Sequence, residues 1–372
     1  MSKKIAIVVN SAWGAYNFRL NLARGLRDSN YQVYFIVPHE AKYCELLRRE
    51  FEVYAIYIDA NAINPIKDLR TIFELYLIYG KIKPDIVLNF TIKPNIYSSI
   101  VSGILGIKSI SNITGLGTIF IKESFVTKIA KIMYKKALEY NSVVFFQNSD
   151  DRKLFVDGGL VDVSKTRLLA GSGVDLIKFL PKEKSTKRDL FVFLMIARLL
   201  KDKGIFELIE AAKILKTKQK NIEICLLGEV DIKNSSAIKK DELDAWVRDG
   251  LVKYLGVSDS VFEIIADADC VVLPSYREGT PRSLLEACAM KRPIITTNAV
   301  GCKEVIDDGI NGYLCEVRSG ADLAAKMQMM INLTEEQRAI MGEAGREKMI
   351  REFDEGVVIE NYLTNIREIC GE

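Results

Sequence analysis

Pro274-Ser275-Tyr276-Arg277-Glu278-Gly279-Thr280-Pro281-Arg282-Ser283-Leu284-Leu285-Glu286-Ala287 leaves the apolar run Asp269–Pro274 and enters a helical pattern. The run is short and continuous, as in a strand buried on both faces. Gly279-Thr280-Pro281 marks a turn, with Thr280 suited to capping a helix and Pro281 to its first turn. The turn therefore delivers a helix N-terminus, with free N–H groups near Arg282, Ser283 and Leu284. Such an end attracts an anion, by roughly 0.3–1 kcal/mol from the helix dipole alone. Glu278 stands just before that helix and Glu286 about five residues inside it, hence roughly 7–8 Å along the axis. One carboxylate can then face a sugar while the other accepts hydrogen bonds from ribose hydroxyls.

The same alternation continues in both directions. Strands are expected at Lys4–Asn10, Gln32–Val37, Glu52–Ile58, Asp85–Phe90, Lys108–Asn112 and Ser142–Gln147, with helices between them, among them roughly Tyr16–Asp28, Pro65–Ile82 and Asn95–Leu105. A second series has strands at Asp189–Ala197, Ile222–Gly228, Leu251–Leu255, Asp269–Pro274 and Pro293–Thr297. Three helical stretches close the chain, the last over Glu355–Ile369. Continuous apolar strands alternating with helices predict parallel sheets covered on both faces. Gly171–Lys187, rich in Gly, Lys, Ser and Pro, reads as a linker. The expectation is two Rossmann-like, doubly wound α/β domains, 1–172 and 173–354, with the helix at about 355–372 packing back on the first. A cleft between them would be a ready nucleotide site, because ligands bind at the carboxyl ends of parallel strands.

Composition narrows the chemistry. The 372 residues are 49% hydrophobic and 27% charged, and they include seven cysteines and a single histidine, His39. No apolar run approaches the ~18–20 residues that span a bilayer. Met1-Ser2-Lys3-Lys4 runs straight into a strand, so no signal peptide is expected. The cysteines show no metal-ligand spacing and read as reduced thiols of a cytoplasmic protein. With His39 the only histidine, a Ser-His-Asp triad or a His-rich metal site is close to excluded. Residues 1–180 carry 24 Lys+Arg against 16 Asp+Glu, and the remainder 28 against 33. A basic first half suits an anionic partner.

The Glu278/Glu286 segment resembles the Glu-(seven residues)-Glu signature of glycosyltransferase family 4, retaining enzymes of the GT-B fold, and the resemblance runs along nearly the whole chain. Ala197-Arg198-Leu199-Leu200-Lys201-Asp202-Lys203-Gly204 is similar to the family's Arg…Lys pair, which implies that Arg198 and Lys203 hold the donor diphosphate. Val300-Gly301-Cys302-Lys303-Glu304-Val305, Asn311-Gly312-Tyr313 and Leu255-Gly256-Val257 resemble its turns around the donor. Ser172-Gly173-Val174-Asp175 resembles its interdomain segment. In the first half, Asn10-Ser11-Ala12-Trp13-Gly14-Ala15 corresponds to the first loop. That loop is not the G-x-G-x-x-G of dinucleotide binding. Phe90-Thr91-Ile92-Lys93-Pro94-Asn95 aligns where many relatives place a histidine. Ile92 takes that position, leaving Lys93 or Asn95 to serve the site. Thr114-Gly115-Leu116-Gly117 is a further loop of this kind.

The resemblance implies a glycosyltransferase that needs no metal or other cofactor. Glu278, Arg198, Lys203 and Lys93 form its catalytic set. Gly14, Glu286, Gly279, Thr280, Pro281, Arg282, Ser283, Leu284, Val257 and Gly301 contact a nucleotide-sugar donor. Trp13, Tyr16, Thr91, Asn95, Gly115 and Gly117 lie on the acceptor side. The Thr-Ile-Lys-Pro-Asn and Thr-Gly-Leu-Gly segments resemble bacterial enzymes that extend polyprenyl-diphosphate-linked glycans, some with N-acetylhexosamines from UDP. That implies a lipid-linked acceptor, no nucleic-acid partner, and a cytoplasmic enzyme peripheral to the inner face of the plasma membrane. The basic amphipathic stretch Ser124–Tyr140, with Lys128, Lys131, Lys135 and Lys136, is the expected contact with anionic lipid, the alternative being that its apolar stripe packs on the sheet. Asp267-Ala268-Asp269 matches a metal motif of another transferase fold but reads as capping. Two other functions stay open: a GT-B sugar-nucleotide epimerase, and a non-catalytic nucleotide-sugar-binding protein.

Overall fold

The computed structural model describes residues 2–59, 64–116, 125–185, 190–218, 221–230, 234 and 236–372. The chain divides into two compact units, Met1–Ser172 with Gly356–Glu372, and Gly173–Glu355.

Unit 1 is built on a seven-stranded parallel sheet. Its strands are β1 Lys4–Val8, β2 Gln32–Pro38, β3 Glu52–Ile56, β4 Ile86–Phe90, β5 Lys108–Ile113, β6 Val143–Phe146 and β7 Thr166–Leu168, in the order 3-2-1-4-5-6-7. Residues on one face of the pleat (Ile5, Ile7, Phe35, Leu88) enter one core and those on the other (Ala6, Val8, Ile36, Val87) a second. This is the two-sided burial that the unbroken apolar runs require. Helices α1 Ala12–Asp28 and α2 Ala41–Arg48 contribute to the first core. Helix α3 Pro65–Ile82, a π-turn Pro94–Ser98 that runs on into α4 Ser99–Ile104, and α5 Phe125–Glu139 contribute to the second. Helix α6 Ser149–Asp157 precedes β7.

Unit 2 has six parallel strands: β8 Phe191–Ile196, β9 Ile222–Leu227, β10 Lys253–Tyr254, β11 Cys270–Leu273, β12 Ile294–Thr297 and β13 Gly312–Cys315, in the order 10-9-8-11-12-13. Around it lie α7 Ile205–Lys216, α8 Lys240–Arg248, α9 Val261–Ala266, α10 Arg282–Ala289, α11 Gly320–Asn332 and α12 Glu335–Glu352. Helix α13, Glu355–Cys370, belongs to unit 1 but for its first residue. Its Tyr362 is fully buried between Phe90 and Phe145, with ring centroids 6.0 and 4.9 Å away, and its hydroxyl accepts from Asn112 Nδ2 at 2.8 Å.

Both domains are the parallel α/β sheets expected from the sequence. Several element bounds are not. Helix α1 begins at Ala12 rather than Tyr16, because Ser11 caps it through the Gly14 N–H. Trp13, Gly14 and Ala15 are therefore its first turn and not a loop. The helix expected over Asn95–Leu105 opens as a π-turn. Helix α10 starts one residue late: Pro281, not Thr280, occupies the cap position, with an extended backbone. Strand β10 is only two residues long.

Candidate active site

In each unit the strand order reverses at one place, between β1 and β4 and between β8 and β11. Loops leaving such a pair separate above the sheet and leave room for a ligand.

In unit 2 the loop after β8 carries Arg198 and Lys203, and the loop after β11 carries Glu278. Backbone contacts join the two: Tyr276 N–H donates to the Asp202 carbonyl at 2.9 Å, and Ser275 Oγ donates to the same oxygen at 3.1 Å. Gly204 stands at φ 78°, where a Cβ would strike the Pro274 carbonyl oxygen. Only glycine lets the Lys203 turn lie this close to the strand end. On the other side Gly301, at φ 85°, passes so near Glu278 and Gly279 that a Cβ would meet both carbonyl oxygens. The Glu278 N–H donates to the Val300 carbonyl at 2.9 Å. Held from both sides, Glu278 Oε1 accepts from Lys203 Nζ at 2.6 Å, the two side chains being 16% and 15% exposed. Arg198 is exposed and, among the described residues, makes no ion pair.

The N-terminus of α10 follows within four residues. One turn in, Glu286 pairs with Arg282 at 3.2 Å, and burial raises the Glu286 carboxyl above its usual range against the pull of Arg282 and Lys178. Val257 is exposed beyond Gly256, whose carbonyl accepts from the Gly228 N–H at 2.8 Å. Tyr276 was absent from the expected set. Its hydroxyl donates to Glu207 at 2.7 Å, and the Arg318 guanidinium lies 4.8 Å from its ring. It braces the 274–278 turn, which only its position beside Glu278 could have suggested.

In unit 1 the segments after β1, β4 and β5 come from adjacent strands. Thr91 has φ 73°, a left-handed conformation that a β-branched residue seldom adopts, and its Oγ1 is buried without a partner. Strain of this kind gathers at functional sites, as do π-turns. Lys93 Nζ lies 2.6 Å from Asp68 Oδ1 of α3, with both side chains nearly buried, and the Tyr97 hydroxyl bonds the same carboxylate. Asn95 Nδ2 donates to the Asn112 carbonyl at 2.8 Å, so this amide is committed to holding β5. Ile92, expected at the position of the family's histidine, packs against the second core. Trp13 is 45% exposed and stacks edge-on against Phe18 at 5.0 Å, while Tyr16 packs on Tyr43. Gly115 has φ 118°. Gly117 lies outside the described residues.

Two acidic side chains escaped the sequence reading. Asp68 is one. Glu40 is the other: its two oxygens accept the Ala12 and Trp13 N–H groups, each at 2.9 Å. With Gly14 N–H bonded to Ser11 Oγ, the first turn of α1 already holds a carboxylate. The contact proposed for Gly14 would be one of close approach and not of amide donation.

Asp267 accepts from Ser185 N–H and Oγ, each at 2.8 Å, and Asp269 from the Val192 N–H at 2.8 Å and from Lys184. Both carboxylates close loops onto the sheet. Among the described residues no group of three His, Cys, Asp or Glu could hold a metal ion.

The profile described as Glycosyl transferases group 1 matches residues 177–348, and Glycosyl transferase 4-like matches 4–148. The chain belongs to the group 1, family 4-like glycosyltransferases. It is 26% identical, over 97% of each chain, to the Campylobacter jejuni N,N'-diacetylbacillosaminyl-diphospho-undecaprenol alpha-1,3-N-acetylgalactosaminyltransferase. It is also 26% identical to the Escherichia coli UDP-Gal:alpha-D-GlcNAc-diphosphoundecaprenol alpha-1,3-galactosyltransferase, over 90% of this chain and 91% of that protein. The fold superposes on Anabaena Alr3699/HepE in complex with UDP and glucose, with TM-score 0.82 and 18% identity over 98% of this chain and 100% of that one. The transferase is thus a GT-B enzyme, and its named relatives act on lipid-diphosphate-linked glycans.

Proposed function

We propose that this glycosyltransferase moves a sugar, an N-acetylhexosamine by preference, from a UDP-sugar to a polyprenyl-diphosphate-linked glycan, with retention at the anomeric carbon. The observation that carries this is the Lys203–Glu278 pair. A cation suited to a phosphate and a carboxylate suited to sugar hydroxyls sit in contact at the strand switch point of unit 2.

Donor binding then exchanges partners. The diphosphate takes Lys203, and Glu278, released, turns to the sugar ring. Arg198, Lys203 and the N-terminal amides of α10 stabilise the charge that grows on the departing phosphate as the glycosidic bond breaks. Glu286 accepts the ribose hydroxyls. The acceptor is served by Trp13, Tyr16 and the Thr91–Asn95 segment, with Lys93 in the place of the relatives' histidine. The acceptor class is supported by the names of the Campylobacter and Escherichia relatives, and with such an acceptor the reaction would run at the cytoplasmic face of a membrane.

A thermal-shift panel of UDP, GDP and ADP, followed by transfer from the matching sugars to a polyprenyl-diphosphate acceptor, tests the reading. Stabilisation by UDP is expected, together with an α-linked product from an α-linked donor, formed equally in EDTA because cations and helix amides do the work of a metal. Donor bound without transfer or hydrolysis would favour a non-catalytic binding protein. Loss in EDTA restored by Mn²⁺ would overturn the metal-free mechanism.

A further inference from the structure

Helix α3 is apolar on two opposite faces. Thr71, Leu75, Tyr79 and Ile82 are buried against the sheet. On the other side Ile66, Leu69 and Phe73 are 82%, 65% and 61% exposed, and Tyr76 and Leu77 are about half exposed. An apolar patch of this size on a surface helix marks an interaction site, and a helix apolar all round is one that something covers. Among the described residues no helix is long and apolar enough to cross a membrane.

The charges identify the cover. The exposed face of α3 carries Lys67, Arg70 and Lys81 at its margin, Lys67 paired with Asp59 at 3.3 Å and Arg70 with Glu74 at 2.7 Å. Its two acids are turned inward or used: Asp68 is buried on Lys93, while Glu74 pairs with Arg70 and accepts the Tyr57 N–H. Helix α3 packs against α4, and α4 against α5. The same layer thereby adds the exposed Ile104, Ile132, Lys128 and Lys135. The spacing of 66, 69, 73, 76 and 80 would also suit a helix seam with a second copy. However, a two-fold contact would set these bases against their own counterparts, and the seam would end on Gly80, which has no side chain to fill it. Apolar residues flanked by bases suit a bilayer interface with anionic headgroups.

We propose that the outer face of α3 docks this enzyme on an anionic lipid bilayer, with its apolar residues among the acyl chains. The proposal rests on the reading of a lipid-linked acceptor. It also moves the docking surface from α5, where the apolar residues Ala130, Tyr134, Ala137 and Leu138 are buried against the sheet and the exposed Lys128 and Lys135 face outward. One further contact gives the surface its purpose. The inward face of the same first turn carries Asp68, which holds Lys93. The docking helix and the segment serving the acceptor thus share an ion pair.

The test is flotation of the full chain with phosphatidylcholine/phosphatidylglycerol vesicles containing no acceptor. Wild-type protein is expected to float in low salt and to be released as salt rises. Leu69→Glu/Phe73→Glu/Leu77→Glu should cut the bound fraction at least tenfold, and Lys128→Glu/Lys135→Glu should cut it less. Unchanged circular dichroism and nucleotide-induced thermal shift would establish that the triple variant is folded. In a Cys370→Ser background, a polarity-sensitive fluorophore on Phe73→Cys should shift to the blue with vesicles. The proposal is overturned by wild-type protein that stays in solution, by a triple variant that floats like wild type, by an unshifted fluorophore, or by a dimer that the triple variant dissolves. Because the vesicles lack acceptor, failure here leaves transfer untouched. Conversely, inactivity on the diphosphate lipid with flotation intact would unseat the acceptor assignment alone.

Discussion

The two strand switch points solve the same problem by different means. In unit 2 the site is closed by backbone devices: two glycines that admit a backbone where no side chain fits, and loops from neighbouring strands that bring Lys203 against Glu278 across 75 residues, with Arg198 beside them. In unit 1 the site is held by polar side chains. Asp68 reaches Lys93 across 25 residues, Glu40 reaches the start of α1 across 28, and Tyr362 reaches Asn112 across 250. The unit 2 site is a pre-set constellation, whereas the unit 1 site depends on a scaffold of buried polar contacts that variation elsewhere can retune.

The largest expected effect breaks the division of labour in unit 2. Glu278→Ala should lower turnover about a hundredfold, the scale seen when a transition-state contact is removed, with nucleotide affinity unchanged within about threefold. Arg198→Ala and Lys203→Ala should each weaken nucleotide diphosphate binding about tenfold, some 1.4 kcal/mol, by calorimetric titration. If neither cation matters to affinity, the diphosphate is held elsewhere.

A smaller effect sharpens the picture of unit 1. Asp68→Asn strands a nearly buried ammonium, and Lys93→Met strands a nearly buried carboxylate. Each should cost about 1–3 kcal/mol of stability, less than a fully buried pair. The double variant removes both charges and should regain most of that stability, because the two residues are coupled. Turnover should stay low. Recovery of turnover along with stability would reduce Lys93 to a counter-ion.

The smallest effect is a pH dependence. Glu286 has a folded-state pKa raised by burial, so folding takes up a proton and stability falls as pH rises from the unfolded carboxylate value through the folded one. Glu286→Gln removes that cost. Its melting temperature should equal or slightly exceed wild type at pH 7.5, the difference vanishing near pH 4, while donor binding weakens. A variant less stable at pH 7.5 would mean that the Arg282 pair outweighs burial.

These contrasts also explain what could be read in advance. The 274–287 segment was legible because a strand, a glycine-proline turn and a helix start are each set by near neighbours. The α/β alternation was legible for the same reason. Strand β7 escaped because it is only three residues long, and β13 because Gly312, which opens it, looks like a turn residue. Asp68 looked like an ordinary acid in a helix's first turn, and Glu40 like a loop acid. Nothing in their spacing names partners so far along the chain. The outer face of α3 was hidden for another reason: when both faces are apolar, the helical period cannot say which one the sheet will cover.

The route of the chain has a consequence for how such enzymes diversify. It leaves unit 1 at Ser172 and returns at Gly356, and the two crossings lie side by side. Val174 donates to Phe353 at 2.8 Å, Glu355 donates back to Val174 at 3.2 Å, and Gly173 has no room for a Cβ against Glu355. Unit 2 is in effect one uninterrupted cassette with adjoining ends, the arrangement in which whole domains are most readily inserted or exchanged. Two recombination points, one at each crossing, would replace Arg198, Lys203, Glu278 and Glu286 in a single event. Unit 1, including the far C-terminal helix, would be inherited intact.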